Sequence, residues 1–294
     1  DYHRDLAEYL AAKACILELL RPEGEGRPGT LVLNLDDEQL ATLDISQVSS
    51  VGFSAGNTVR GVPDLKVVSA SLELTGSRLE MDWRGTALEL VSPLVGRFNV
   101  ENLTAALAAG LALGLDPTEC CEALGGVPQV PGRMEQFLLP AGALAVVDYA
   151  HTHDALAAVL ATCDELTERR ILVVFGCGGD RDRGKRPLMG RVAARGSDRA
   201  WITSDNPRGE EPGGIIRDVL EGYDAVREPR AVGREMVIDR REAIEAALAE
   251  TREGDIVVVA GKGHEDYQLV GDKVFEMDDR VIIRDWIQRG GRHE

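Results

Sequence analysis

Four short polar loops in the second half of the chain carry the residues best suited to chemistry. Their sequences are Asp-Tyr-Ala-His-Thr at 148–152, Gly-Cys-Gly-Gly-Asp-Arg at 176–181, Ser-Asp-Asn-Pro-Arg at 204–208 and Gly-Lys-Gly-His-Glu at 261–265. Each loop follows a short apolar run that is typical of a buried strand. Because open parallel α/β sheets bind ligands at the carboxyl ends of their strands, the four loops predict one shared polar site. Ordinary strand-to-helix turns are the alternative for any single loop, since Gly, Asp and Asn are common turn residues.

The third of these loops has the sharpest chemical pattern. Pro207 fixes the backbone, so the side chains beside it are presented rigidly. Arg208 can hold a carboxylate by two parallel hydrogen bonds, while Asp205 and Asn206 can bind an ammonium group. This combination fits a ligand that carries both groups, such as an amino acid.

Two other loops extend the same charge pattern. Arg181 and Glu265 add one further charge of each sign. A zwitterionic ligand would be matched at both of its ends by such a set. A structural network of salt bridges explains the charges equally well, so the pattern leaves both interpretations open.

A second group of polar residues is suited to a nucleotide. Asn99 and Asn102 are three apart and share one face of a predicted helix, where an amide can both donate to and accept from an adenine edge. A helix cap at Asn99 with a solvated Asn102 is the alternative. Arg133, after a Pro-Gly pair, can clamp a phosphate, and Asp148, at a strand end, can accept from a ribose or help hold a cation.

Lys13 is the most unusual residue of the first half. It lies on the apolar stripe of a predicted helix, between Leu10 and Leu17. A buried ammonium is costly, so burial would lower the lysine pKa and make the amine nucleophilic enough to capture carbon dioxide as a carbamate. A lysine at the edge of the stripe, with its charge in water, is the simpler explanation of the spacing.

The predicted elements place these residues in two different kinds of architecture. The first part of the chain predicts a helix over 5–20, a loop over 22–29, a strand over 30–34, an antiparallel meander over 66–92, a helix over 99–113 and another that begins at 116–117. After a linker at 128–132, predicted strands at 144–147, 171–175, 200–203 and 256–260 alternate with helices near 153–166, 185–195, 213–222 and 240–251. Such alternation predicts an α/β domain with a doubly wound, mostly parallel sheet.

Composition narrows the classes of protein that fit. A chain of 294 residues suits two domains, and its net charge of −17 argues against nucleic acid as a partner. No apolar run reaches the roughly 18 residues of a membrane span, so we expect no membrane insertion. The cysteine count is five with no C-x-x-C motif, which favours free thiols in a reducing cytoplasm.

Cys177 is either a reactive thiol or a small filler of its loop. His151 and His153 lie near Asp148, but no third closely spaced ligand follows, which excludes a structural zinc site.

Together the motifs resemble those of the Mur ligases, most closely of the members that add the third amino acid to UDP-N-acetylmuramoyl-dipeptide. The resemblance covers nearly all 294 residues. It rests on Asp-Tyr-His at 1–3 with Tyr-Leu-Ala-Ala-Lys at 9–13, Gly-Arg-Phe-Asn-Val-Glu-Asn at 96–102, Pro-Gly-Arg-Met-Glu at 131–135, Asp-Tyr-Ala-His at 148–151 and Asp-Asn-Pro-Arg at 205–208. The last motif has the form found in members that select meso-diaminopimelate, whereas lysine-adding members usually lack its arginine.

The resemblance implies a fold and an activity. Residues 1–130 would form the C-terminal portion of a central ATPase domain, and residues 131–294 the C-terminal domain, which binds the amino acid and closes over ATP. The implied enzyme is a cytoplasmic, ATP-dependent amide ligase of peptidoglycan precursor synthesis. It would use ATP and Mg²⁺ to join meso-diaminopimelate to UDP-N-acetylmuramoyl-L-alanyl-D-glutamate through an acyl phosphate.

The resemblance also implies a role for each site residue. Lys13, as a carbamate, would be a catalytic residue and a ligand of magnesium. The residues implied in ATP binding are Asn99, Asn102, Arg133, Asp148 and His151. Those implied in binding the incoming amino acid are Arg181, Asp205, Asn206, Pro207, Arg208, Gly261 and Glu265.

The chain departs from the family pattern in two respects. The P-loop of the form G-T-[NK]-G-K-[ST] is not in the sequence, and neither is a uridine-binding domain, so we expect a fragment that by itself has no ligase activity. His153 replaces the usual proline, for which we expect a local effect only. A lysine-adding or other Mur-type ligase, such as a relative of folylpolyglutamate synthetase, and a non-catalytic amino-acid-binding module are the alternatives.

Overall fold

A computed structural model of the chain describes residues 5–20, 29–74 and 76–291. The Asp-Tyr-His motif at 1–3, nearly all of the loop predicted over 22–29 and the turn residue Thr75 lie outside the described residues. The chain divides into two compact units, Asp1–Pro128 and Gln129–Glu294.

The first described segment is helical but not continuous. Helix α1 (Leu6–Ala14) begins after Asp5, whose carboxylate accepts the Glu8 N–H at 2.8 Å, as the predicted cap requires. Helix α2 (Ile16–Leu19) follows Cys15, so the prediction of one helix over 5–20 is wrong. No side chain of α2 is buried, and without a packed face little stabilises a longer helix.

The first unit contains a sheet of five strands in chain order. The strands are β1 (Thr30–Asn34), β2 (Ser49–Ser54), β3 (Leu65–Glu73), β4 (Gly76–Trp83) and β5 (Thr86–Ser92). Strands β1 to β3 pair in parallel, and β3 to β5 form the predicted antiparallel meander. Sequence reasoning missed β2, because only Val51 and Phe53 interrupt its small residues.

Two helices cover this sheet. Helix α3 (Arg97–Ala112) packs on β1, β2 and β3 through Leu103, Leu107 and Leu111, a spacing of four that repeats along one face. Its N-cap is Gly96, so the alternative that Asn99 is the cap is wrong. Helix α4 (Pro117–Gly125) begins after Asp116, whose carboxylate accepts the N–H groups of Thr118 and Glu119, as predicted.

The second unit is an α/β domain with a mostly parallel sheet. Its strands are β6 (Glu135–Leu138), β7 (Leu144–Asp148), β8 (Ile171–Cys177), β9 (Arg199–Ser204), β10 (Gly233–Met236) and β11 (Ile256–Ala260). They lie in the order β10-β9-β8-β11-β7-β6, and only β6 is antiparallel to its neighbour. The carboxyl ends of β9, β8, β11 and β7 are therefore adjacent.

Helices lie on both faces of this sheet, which confirms the doubly wound fold. The helices are α5 (His153–Leu166), α6 (Lys185–Gly196), α7 (Pro212–Asp224), α8 (Arg240–Ala249) and α9 (Asp279–Gln288). Helices α5, α6 and α7 pack side by side, and α8 and α9 form the other layer around a core that includes Trp201 and Trp286. A hairpin of β12 (Tyr267–Val270) and β13 (Lys273–Glu276) follows β11. Within the described part of the chain, no helix is long and apolar enough to cross a membrane.

Candidate functional site

The four polar loops meet at the carboxyl edge of the second sheet. The Tyr149 hydroxyl lies 3.5 Å from a Glu265 carboxylate oxygen, which links the first loop to the fourth. The Asn206 amide donates to the other Glu265 oxygen at 3.0 Å, and Arg208 donates to the Gly179 carbonyl at 3.0 Å. These contacts join all four loops, as their positions after adjacent strands predict.

Two arginines border the same glycine and form the cationic side of the site. A Cβ atom at Gly178 would lie 2.9 Å from Arg208 Nη1 and 3.7 Å from Arg181 Cγ. The Arg208 Nη1 atom donates to the carbonyls of Gly179 and Asn206, which orients its guanidinium. Arg208 is half-buried and Arg181 is exposed. Two arginines that approach the same glycine are suited to a carboxylate.

A buried ion network holds this side in place. Arg186 is 1% exposed, and its guanidinium pairs with Glu210 at 2.7 Å and Asp218 at 2.8 Å. Glu210 also accepts the main-chain N–H of Asp180 at 2.7 Å, so it ties the second loop to the third. The hydrogen bond from Arg186, with that from Asp180, lowers the pKa of Glu210 to about 2. Asp180 and Arg208 both have left-handed backbones with φ of 51°, a conformation that the surrounding bonds must maintain.

A buried lysine lies within the same cluster of loops. Lys262 is fully buried, and its ammonium donates to the Tyr267 carbonyl at 2.6 Å and to Asn206 Oδ1 at 3.1 Å. Its Nζ lies 3.6 Å from the Glu265 carboxylate. Asn206 Oδ1 also accepts the Leu269 N–H at 2.9 Å. Sequence reasoning gave Lys262 no role, although its place between Gly261 and Gly263 in the fourth loop was a signal that could have found it.

Gly261 and Asp205 approach each other closely beside this lysine. A Cβ atom at Gly261 would lie 2.8 Å from Asp205 Oδ2, and its φ of 116° is unfavourable for other residues. Asp205 is 9% exposed, and its main-chain carbonyl accepts the Gln268 amide at 2.7 Å. Asp205 and Glu265 therefore place two carboxylates beside Lys262, in the same cluster of loops as Arg181 and Arg208.

A buried ion pair lies beneath the loops. Arg240 and Asp279 are both fully buried and form two hydrogen bonds, at 2.8 and 2.7 Å. Arg240 also donates to the carbonyls of Ala260 at 3.0 Å and Ser204 at 3.4 Å. Because those carbonyls end β11 and β9, this pair joins α8 and α9 to the strand ends that carry two of the loops.

An aromatic surface centred on Tyr149 occupies the first loop. The Arg133 guanidinium carbon lies 4.8 Å from the centre of the Tyr149 ring, and the rings of His151 and His264 lie 4.7 and 5.5 Å from it. His151 is exposed, and its Nδ1 is 2.8 Å from the Tyr149 carbonyl. The structure therefore brings Arg133 and His151 together around Tyr149, a residue to which sequence reasoning assigned no role.

Asp148 is 6% exposed and holds this surface together from below. Its Oδ2 accepts the Met134 N–H at 2.9 Å and its Oδ1 accepts the Ala150 N–H at 2.8 Å. Burial raises the pKa of this carboxyl, while the two main-chain hydrogen bonds and Arg133 oppose that rise. Both carboxylate oxygens therefore already fix the backbone of neighbouring loops.

The candidate residues of the first unit lie in two places. Asn99 is 6% exposed and donates to the Val95 carbonyl at 2.8 Å, while Asn102 donates to Asn99 Oδ1 at 3.4 Å, so the two amides do share a helix face. Lys13 is exposed, and its ammonium lies 5.2 Å from the centre of the Tyr9 ring. Lys13 is therefore not buried, although its position on the leucine stripe allowed burial. The observed side chain fits the simpler explanation, a lysine at the edge of the stripe with its charge in water.

Two other possibilities raised by the sequence are resolved. Cys177 is 3% exposed, and burial raises the pKa of its thiol to about 12, so it is a filler and not a reactive thiolate. His153 is the first residue of α5, the local position expected for a residue that replaces proline. Among residues 5–20, 29–74 and 76–291, no group of three or more His, Cys, Asp or Glu side chains is arranged to hold a metal ion.

Comparison with known proteins shows which family this chain resembles in sequence. Residues 1–110 match the Mur ligase middle domain, and residues 132–263 match the family described as Mur ligase, glutamate ligase domain. The chain is 38% identical over 288 residues to the UDP-N-acetylmuramoyl-L-alanyl-D-glutamate--2,6-diaminopimelate ligase of Syntrophomonas wolfei, covering 98% of this chain and 57% of that protein. It is 40% identical over 294 residues to the ligase of the same name from Solibacter usitatus, covering 100% of this chain and 58% of that protein.

A solved structure of a ligase with this name has the same fold. It superposes with a TM-score of 0.67 at 36% sequence identity, covering 99% of this chain and 58% of that one. The chain thus spans less than two thirds of the length of the relatives that it matches. Because the middle-domain and C-terminal-domain matches follow one another along the chain and the relatives align over almost all of it, this chain belongs to the Mur ligase family.

Proposed function

We propose that this chain is part of an ATP-dependent ligase that joins meso-diaminopimelate to UDP-N-acetylmuramoyl-L-alanyl-D-glutamate. The observation that carries the proposal is the presence of guanidinium and carboxylate groups in one cluster of loops. Arg181 and Arg208 border Gly178, and the Glu265 carboxylate, which accepts the Asn206 amide at 3.0 Å, supplies acceptor oxygens in the same cluster. An amino acid end, with its carboxylate and ammonium, matches that arrangement. The names of the relatives agree with this choice of substrate.

Diaminopimelate has an amino acid group at both ends, which explains how binding serves the reaction. The residues of this chain hold one end by its carboxylate and its ammonium. The amine at the other end then remains free to attack the activated carboxyl carbon, and holding the molecule in a fixed orientation promotes that attack. Lysine has no carboxylate at its side-chain end, so the two arginines would be left without a partner.

We propose that ATP binds at the Tyr149 surface and supplies the phosphoryl group that activates the dipeptide carboxylate. The fit is supported by the flat ring, the exposed Arg133 above it and the exposed His151 beside it. Arg133 would hold phosphate oxygens, and Asp148 would keep the backbone of this surface in place. Asn99 and Asn102 are proposed as ATP-binding residues of the first unit, which we assign as the C-terminal portion of a central ATPase domain ending near residue 130. Residues 131–294 are assigned as the C-terminal domain.

The described residues contain no group of three or more His, Cys, Asp or Glu side chains that could hold magnesium, so we assign no step of the reaction to this ion. Lys13 as a carbamate remains a proposal that rests on the family motif. In an active full-length protein that contains this chain, Lys13→Ala should lower turnover by about 100-fold or more, and added short carboxylates should restore part of it. Lys66→Ala is the matched lysine control, because Lys66 is exposed on β3. Near-normal turnover of Lys13→Ala would remove this residue from the site.

Net charge and cysteine content bear on the remaining partners and on the cellular compartment. The net charge of −17 does not favour nucleic acid. The cysteines at positions 15, 120, 121, 163 and 177 are all free. We therefore propose that the enzyme works in the reducing cytoplasm, where such thiols persist.

Direct binding tests the proposed substrate. We expect the 294-residue chain to bind meso-diaminopimelate about 100-fold more tightly than L-lysine, because only the first ligand pairs its distal carboxylate with the arginines. Isothermal titration calorimetry of the two ligands at neutral pH measures the ratio. Equal affinities, or tighter binding of lysine, would favour a lysine-adding or other Mur-type ligase.

A further inference from the structure

Lys262 is a lysine with no accessible surface beside the proposed amino-acid site. It is fully buried, and removing an ammonium from water costs several kcal/mol unless close acceptors compensate. Burial lowers its pKa, while the carboxylates of Asp205, Asp279 and Glu265 oppose that change. Its own acceptors, Asn206 and Tyr267, lie in the third loop and at the start of β12. The side chain therefore makes its bonds to two residues of the proposed amino-acid site and its hairpin, 3.6 Å from the Glu265 carboxylate.

The position of Lys262 determines which way the Asn206 amide faces. Asn206 Oδ1 receives two donors, the Lys262 ammonium at 3.1 Å and the Leu269 N–H at 2.9 Å. The amide nitrogen must then point the other way, where it donates to Glu265 at 3.0 Å. A flipped amide would place its NH₂ group against two donors and its oxygen against a carboxylate.

We propose that Lys262 is a positioning residue for the amino group of the substrate. This inference rests on the proposed function, because it concerns the ammonium of the bound amino acid. Lys262 fixes the Asn206 amide, and the amide in turn fixes the Glu265 carboxylate. Glu265 is then oriented with its second oxygen, 3.5 Å from the Tyr149 hydroxyl, still able to accept from a ligand.

A residue that only supported the loop would behave differently. Loss of a general support would weaken every ligand of the site by a similar factor. Loss of a residue that orients the amine acceptors would weaken a ligand with an amino group much more than one without it. Pimelate is the suitable comparison, since it has the same seven-carbon chain and both carboxylates of diaminopimelate but no amino group.

The experiment compares wild type with Lys262→Met, which keeps an unbranched side chain one atom shorter and removes the charge and the donors. Calorimetry gives the affinities of the 294-residue chain for meso-diaminopimelate and for pimelate. We expect the preference for diaminopimelate over pimelate to fall about tenfold or more. Lys66→Met is the matched control, because Lys66 is an exposed lysine on β3 of the first unit. Its preference should equal that of wild type.

A second variant protects the test against loss of folding. Lys262→Gln keeps a neutral donor in a smaller side chain, and we expect it to lose preference less than Lys262→Met. If Lys262→Met shows no cooperative thermal unfolding, Lys262→Gln decides the question. An unchanged preference in a folded variant, with a wild type that does prefer diaminopimelate, overturns this inference alone. A wild type that binds pimelate and diaminopimelate equally overturns the proposed function together with it.

Discussion

Replacing Arg208 by alanine should reduce the preference of this chain for meso-diaminopimelate over lysine by about 100-fold. The main chain of Arg208 is held by the hairpin, since its N–H donates to the Leu269 carbonyl at 3.0 Å and its carbonyl accepts the Gly271 N–H at 2.7 Å. Its guanidinium is oriented by two carbonyls of neighbouring loops. A ligand carboxylate would therefore meet a group that has already lost its freedom to move, which strengthens the pairing.

The measurement is the pair of dissociation constants, for diaminopimelate and for lysine, in wild type and in Arg208→Ala. Arg217→Ala is the control, because that guanidinium is 68% exposed and lies 3.4 Å from the Glu211 carboxylate on the surface. It changes the net charge equally and should leave both constants unchanged. If Arg208→Ala weakens both ligands by the same factor, Arg208 does not recognise the distal carboxylate and the choice of substrate loses its main support.

Asp279→Ala should lower the free energy of unfolding of the second unit by about 3 to 5 kcal/mol. The substitution leaves the Arg240 guanidinium fully buried without its carboxylate partner. The remaining acceptors, the carbonyls of Ala260 and Ser204, are neutral and cannot compensate the charge. Because those carbonyls belong to strand ends that carry two loops of the site, we also expect weaker binding of the amino acid.

Urea unfolding followed by tryptophan fluorescence measures this effect, since Trp201 and Trp286 are buried in the core that α8 and α9 cover. Asp224→Ala is the matched control. Asp224 pairs with Arg234 by two hydrogen bonds of similar length, at 2.8 and 2.6 Å, but its side chain is 53% exposed. Removing that exposed pair should cost about 1 kcal/mol or less. Equal losses in the two variants would mean that burial of the Arg240 pair does not matter.

Much of the second unit was predictable from the sequence because its signals are local. Apolar runs of four to five residues mark the strands, and amphipathic periodicity marks the helices between them, including α5 at His153–Leu166. The loops that follow β7, β8, β9 and β11 were therefore identified together with their glycines and charges. Sequence reasoning missed β2, β6, β10, the hairpin of β12 and β13, helix α9 and the break at Cys15. Except for α9, these elements are short or lack a clear periodic signal.

The sequence by itself determined the family, the alternation of strands and helices, and the residues that the four loops carry. Each of these features depends on residues that lie close together in the sequence. Tertiary structure alone decided how those residues act. Strand β11 comes last among the parallel strands but lies between β7 and β8, and that order places Lys262 and Glu265 beside Asn206. Tertiary structure also decides which lysines are buried. Lysines are usually exposed, but Lys262 has no accessible surface. Lys13 lies on an apolar stripe of its helix and yet is exposed. Packing between distant segments, which no local pattern encodes, sets both outcomes.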